Sequence, residues 1–215
     1  MNPRGRFISF EGADGVGKST QIKELRRRLM ARRIEVLLTR EPGGTLIGEQ
    51  IRSLLQHAPQ GSGMCPETEL LLFTASRAQL VREILHPALQ RGVWVLADRF
   101  HDSTTVYQGL ARALDPALVG IVNRFAAGDC LPDLTILLDL DVAAARQRLL
   151  DRRDPEGDRM ENEPAVFFEE VRRGYLELAR REPGRFLIVD ASRKVGELSE
   201  DIWTSLTTRI HGLVD

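Results

Sequence analysis

The chain predicts an α/β fold, a three-layer α/β/α sandwich on a five-stranded parallel sheet, and three observations carry that prediction. Five short apolar runs recur along the sequence, each followed by residues spaced for an amphipathic helix. The runs are nearly all apolar instead of alternating, as expected of strands covered on both faces. Several of them end in a charged or glycine-rich stretch, where open α/β sheets bind their ligands. Right-handed crossovers follow from the alternation, and neither an internal repeat nor a second domain interrupts it, so residues 1–215 read as one domain.

The first run, Phe7-Ile8-Ser9-Phe10, leads into Gly12-Ala13-Asp14-Gly15-Val16-Gly17-Lys18-Ser19-Thr20, with Ile22, Leu25 and Leu29 behind it at helical spacing. This strand, loop and helix fits G-x-x-x-x-G-K-[ST]. In that motif backbone N–H groups cradle phosphates, the Lys reaches the outer phosphates and the hydroxyl holds Mg²⁺. Glycines let the backbone curl around an anion, and a helix beginning near Lys18 aims the positive end of its dipole at the same point. Residues 12–20 are therefore the candidate ATP site.

Ile34–Thr39 reads as a second buried strand, ending in Arg40-Glu41-Pro42-Gly43-Gly44-Thr45. An arginine at a strand's carboxyl end is a candidate anion clamp. Ile47, Ile51, Leu54 and Leu55 mark a helix that stops at His57–Gly63, a connection rich in Gly and Pro. From Pro66 to Gln90 the apolar spacing predicts one long helical segment, disturbed at Pro87. Phe73 and Arg77 share a face of it. By spacing alone, a core Phe beside an exposed Arg is the commoner arrangement, and an aromatic platform with a forked donor for a planar ligand is the rarer one.

Val93–Asp98 is the third run and ends in a carboxylate followed by Arg99. In phosphate-loop enzymes such an Asp commonly helps to hold Mg²⁺. Phe100–Gly109 is dense in hydrogen-bonding groups, which a polar loop would also explain. Asp115-Pro116 gives a cap and first helical position for Leu118, Val122 and Phe125. Leu134–Leu140 is the fourth run, and Asp141 caps a helix through Ala145 and Leu149. The charged stretch 146–163 surrounds Asp154-Pro155-Glu156-Gly157, which breaks the helical pattern and predicts a hinged flap. Val166 to Leu178 form another helix, Phe186–Asp190 the fifth run and Leu198 to Ile210 a closing helix.

Thirty basic and thirty-one acidic side chains leave a formal charge of −1, so the global basic footprint of a nucleic-acid binder is missing and anions must be met locally. No signal-like segment opens the chain and no apolar run reaches membrane-spanning length. Cys65 and Cys130 lack metal-ligand spacing, so both are expected to be structural thiols in a cytoplasmic protein.

Taken together, Glu11-Gly12 with its phosphate loop, Thr39-Arg40-Glu41-Pro42-Gly43-Gly44-Thr45, Phe73 through Gln79, Asp98-Arg99, Tyr107-Gln108-Gly109, Pro132-Asp133-Leu134, Leu138-Asp139 and Tyr175-Leu176 resemble the bacterial thymidylate kinase family. The likeness spans nearly the whole chain. It implies a phosphate-loop nucleoside monophosphate kinase fold, transfer of the γ-phosphoryl group of ATP to dTMP with Mg²⁺, and a homodimer. It reverses the spacing argument by implying that Phe73 stacks on thymine and Arg77 donates to its exocyclic oxygen. Thr104 is implied at the base edge, Tyr107 against the sugar with Gln108 beside it, and Asp14 near the 3′-hydroxyl. Arg40 and Arg99 are implied at the acceptor phosphate, with Asp98 and Ser19 near the metal. Phe100 departs from the usual Tyr or His, and Thr104 from the Asn or Ser of some members. Some members place an Arg where this chain has Gly15, whereas others, which this chain resembles, place the basic residues in the flap. Lys18, Arg99, Asp98, Arg153 and Arg152 are thus the expected catalytic groups.

Overall fold

The computed structural model describes residues 4–56, 63–151, 159–161 and 163–210. Their centre is a parallel sheet of five strands: β1 (Phe7–Glu11), β2 (Val36–Arg40), β3 (Trp94–Asp98), β4 (Leu134–Asp139) and β5 (Phe186–Asp190), in the order β2-β3-β1-β4-β5. The chain leaves β1 toward one edge and later crosses to the other, so β1 lies between β3 and β4. Its carboxyl end is the crevice in which such sheets bind ligands.

Side chains of each strand divide between two apolar layers because successive residues point to opposite faces. Ile8, Phe10, Leu96, Ile136 and Leu138 pack under α1 (Lys18–Ala31) and α9 (Val195–Arg209), with Leu25, Leu29, Ile202 and Leu206 facing them. On the other face, Phe7, Val95 and Ala97 meet α3 (Pro66–Leu80) and the turns after it, while Leu137 meets α8 (Ala165–Arg181) through Phe167, Val171 and Tyr175. This gives the expected sandwich.

Two expectations need correction and one becomes more specific. The second run forms an edge strand that starts at Val36, not Ile34, and its residues are half-buried or exposed, because only β3 pairs with it. The segment 66–90 is helical throughout and disturbed next to Pro87: α3 ends at Leu80, a π-helical turn spans Val81–Leu85, and α4 runs His86–Gln90. Pro87 has no N–H to donate and its ring crowds the carbonyl four residues earlier, so the ladder widens ahead of the proline. Residues after Phe100 form no loop but a short helix, α5 (His101–Thr104), continued by a π-helical stretch, Thr105–Ala111.

The remaining helices follow the sequence closely. These are α2 (Leu46–Gln56), α6 (Pro116–Ala127) and α7 (Val142–Asp151). The Asp115 carboxylate accepts from Ala117 N at 2.8 Å and caps α6, as its position before Pro116 predicts. The 57–62 connection and the break at 154–157 lie outside the described residues. Cys65 and Cys130 are free thiols, and no helix among the described residues is long and apolar enough to cross a membrane.

Candidate active site at the carboxyl ends of the strands

The phosphate loop connects β1 to α1 and needs glycine where the chain turns. Gly12, Gly15 and Gly17 have φ of 128°, 83° and 100°, a region that side chains strain against. A Cβ on Gly12 would stand 2.5 Å from the Leu138 carbonyl oxygen and one on Gly15 2.3 Å from that of Ala145. No side chain fits at position 15 while α7 lies there. Val16 is core beneath the loop, so only its backbone faces the site. Thr20 is exposed in the first turn of α1, next to Ser19.

Lys18 begins α1 and is buried. Its Nζ donates to the carbonyls of Gly12 at 3.1 Å and Ala13 at 2.8 Å and to Asp14 Oδ1 at 3.3 Å. Burial lowers its pKa, and the Arg99 cation adds to that shift. Arg99 itself has φ of 71°, a left-handed conformation that turns its guanidinium back over the strand ends. Its Nη2 donates to Asp14 Oδ1 at 2.6 Å, and its guanidinium lies 5.1 Å from the Tyr107 ring centroid. Burial alone would raise the Asp14 pKa, but Arg99 and Lys18 hold this carboxyl well below the usual range. Two cations, one from the glycine-rich loop and one from the end of β3, thus meet on one carboxylate. Ser19 Oγ donates to Asp98 Oδ2 at 3.0 Å, which joins the loop hydroxyl to the carboxylate closing β3.

The opposite wall is built from α3 and the 101–111 turns. A cleft of about 180 Å³ is lined at one end by Asp14, Gly15, Gly17, Lys18, Ser19, Asp98 and Arg99, and at the other by Arg40, Phe73, Thr104, Tyr107 and Gln108. Arg40 is half-exposed and donates to Glu49 Oε2 at 2.9 Å. Phe73 and Arg77 sit opposite to what their spacing suggests: Phe73 faces the cleft, and Arg77 is only 1% exposed. Burying a guanidinium requires paired, hydrogen-bonded partners. Glu41 Oε2 accepts from Nε at 2.9 Å and from Nη2 at 2.5 Å while its Oε1 stands 3.1 Å from Nε, Thr104 Oγ1 accepts from Nη2 at 3.0 Å and Asn123 Oδ1 from Nη1 at 2.8 Å. One N–H of Nη1 has no partner among the described residues.

Sequence reasoning did not single out Arg52, Gln56, Ser103, Met160 and Glu161, which also line the cleft. Nor did it find the fully buried Glu11 beneath it. That carboxylate accepts from Phe100 N at 2.8 Å and from Ser103 Oγ and Tyr175 OH, each at 2.7 Å. Burial and the nearby Asp102 carboxylate push its pKa up to about 7. Ser103 and Tyr175 in turn accept from Arg99 Nη1, so Glu11 braces the cation from below. The Glu11-Gly12 pair announces the loop in sequence, but no local pattern reveals partners 89 and 164 residues away. Arg152 and Arg153 lie outside the described residues.

A glycine loop at the end of the central strand, a buried lysine, and an arginine-lined cleft beside them define a phosphate-loop kinase of nucleoside monophosphates. The family model for thymidylate kinase matches residues 10–202. A thymidylate kinase of Desulforudis audaxviator is 51% identical over 201 residues, covering 93% of this chain and 89% of the relative. Those of Kosmotoga olearia and Methylococcus capsulatus are 47% and 42% identical, covering 91% and 100% of this chain and 92% and 100% of their own lengths. The chain belongs to the thymidylate kinase family.

Proposed function

We propose that this protein transfers the γ-phosphoryl group of ATP to dTMP, giving ADP and dTDP. The observation that carries this reading is the meeting of Lys18 and Arg99 on Asp14 at one end of the cleft. Cations that serve two different phosphates stand within reach of one shared group, as in-line transfer requires. Residues 12–20 hold the donor phosphates. Arg40 and Arg99 hold the acceptor phosphate, Phe73 stacks on the base, and Arg77, Thr104, Tyr107 and Gln108 surround the base and sugar.

The acceptor phosphate has a second pKa near ~6, so it is an anionic nucleophile at neutral pH and needs no general base. The obstacle is repulsion between two polyanions. Lys18, Arg99 and Arg40 offset it, and Arg153 and Arg152 of a flap spanning about 146–163 supply further positive charge to the transferred group. Arg159 is committed elsewhere: its guanidinium donates to Glu69 Oε2 at 2.5 Å and to the Leu55 carbonyl at 3.1 Å.

Ser19 and Asp98 would hold Mg²⁺. Their oxygens stand 3.0 Å apart, and no cluster of three or more His, Cys, Asp or Glu suited to a metal occurs among the described residues. Such a sparse oxygen set fits an ion that keeps waters and substrate phosphates as ligands. Bound there, it would neutralise charge on the phosphate oxygens.

We further propose a cytoplasmic homodimer. Leu118, Ile121 and Phe125 form an exposed stripe on α6, which packs against α3, with Leu71 exposed on α3 and Leu46 on α2 beyond it. The kinase reading is tested by coupled ADP release with dTMP, dUMP, dCMP, AMP or no acceptor. Release that depends on dTMP supports it, and equal release under every condition refutes it.

A further inference from the structure

Glu69 lies on α3 four residues before Phe73, on the same helical face, and is only 1% exposed. Its carboxylate gathers donors from separate parts of the chain. Gln108 Nε2 stands 2.8 Å from Oε1, Arg112 Nε and Nη2 stand at 3.3 and 3.4 Å, and Arg159 Nη2 at 2.5 Å. Burial would raise its pKa, but these donors hold it below the ordinary carboxylate value. An ionised carboxylate only accepts hydrogen bonds. The amide edge that Gln108 turns toward Glu69 must therefore be its NH₂, which turns Oε1 away. Gln108 lines the same cleft as Phe73, and its Oε1 has no hydrogen bond among the described residues.

We propose that Glu69 is a positioning residue for base selection: by holding the amide NH₂ of Gln108, it fixes Oε1 as an acceptor aimed at the base that stacks on Phe73. The inference rests on the reading of the cleft as the dTMP site. Thymine and uracil present an N3–H beside the O4 carbonyl, whereas cytosine presents a bare N3 beside an amino group. Thr104, which accepts from Arg77 Nη2, lines the cleft together with Gln108, so on this reading an Arg77 N–H serves as donor and Gln108 Oε1 as acceptor toward one base. They complement the thymine edge. Against cytosine, a donor meets the amino group and an acceptor meets a lone pair, and buried groups left unpaired in this way are costly. A Gln108 amide free to flip would present NH₂ instead and lose the distinction.

The test compares kcat/KM for dTMP, dUMP and dCMP in the wild type, Glu69→Gln, Gln108→Leu, the double variant and Arg159→Ala. Glu69→Gln should lower the preference for dTMP over dCMP by roughly tenfold or more. The ratio of dTMP to dUMP, which differ only by a methyl group, should not move. In the Gln108→Leu background, Glu69→Gln should change the dTMP:dCMP ratio no further. Arg159→Ala loosens the same cluster but leaves the Glu69–Gln108 bond, so its ratio should match the wild type. An unchanged dTMP:dCMP ratio in Glu69→Gln, or an equal shift with and without Gln108, would overturn the proposal. If Glu69→Gln does not fold, Glu69→Asp keeps the charge for the arginines but withdraws the acceptor, and carries the same expectation and the same refutation. A wild type that phosphorylates no dTMP would instead remove the reading of the cleft itself, an outcome distinct from either.

Discussion

Lys18 and Phe73 mark the two ends of the cleft, and their replacement should separate the two substrates. Lys18→Ala should reduce kcat by about 10²–10³, as loss of one preorganised charge at the transferred group does, while dTMP still binds. Calorimetric titration of dTMP into the variant checks this. Loss of dTMP binding along with turnover would mean that the sites are not separable. Phe73→Ala should act the other way, weakening dTMP binding by about 1–3 kcal/mol of lost stacking with ATP binding unaffected. Glu11 makes a prediction about stability. Its folded pKa of about 7 exceeds the ordinary 4.5, so the folded state holds the extra proton between those values, and its contribution to stability is lost as pH rises from 4.5 through 7. The loss is about 3 kcal/mol at most. His101, whose burial lowers its pKa below 6.5, contributes a slope of opposite sign in part of that window. The readout is therefore the difference between wild type and Glu11→Gln in urea unfolding. Relative to the variant, the wild type should lose stability from pH 5 to pH 8, and parallel curves would contradict the assignment.

At the scale of elements, the loop and the strands were legible because their signals are local. The run Phe7–Phe10, the glycines at 12, 15 and 17 and the stripe Ile22, Leu25 and Leu29 each state their conformation within a few residues. Elements settled by distant neighbours were not. The π-helical turns at 81–85 and 105–111 answer a proline and a packed wall, and β2 reads as buried although it lies at an edge. Arg77 looked exposed because its counter-ion, Glu41, is 36 residues away. Gly15 packs the loop against α7. With the Ala145 carbonyl 2.3 Å from any Cβ, Gly15→Arg should displace α7 and destabilise the fold by about 1–3 kcal/mol, measured by thermal unfolding. The transition-state charge must then come from elsewhere. The Arg152→Ala/Arg153→Ala double variant should lose about 10³–10⁵ in turnover with little change in dTMP affinity. Near-normal turnover would shift that role to Arg99 or Arg40.

For the whole molecule, a formal charge of −1 offers no long-range attraction for polyanions, so recognition rests on cations concentrated at the strand ends. The apolar stripe on α6 departs from an ordinary solvated surface, with Phe125 80% exposed. Ile121→Asp or Phe125→Asp should weaken self-association by at least about 30-fold, read as a fall from dimer to monomer mass in sedimentation. A wild type that is monomeric at the same concentration would contradict the dimer. Phosphoryl transfer between two nucleotides bound in one cleft is measured most directly by following the phosphorus. ATP labelled at its γ-phosphate should place the label on the terminal phosphate of dTDP, with as much dTDP formed as ADP. Label recovered as inorganic phosphate at the same rate with and without dTMP would contradict it.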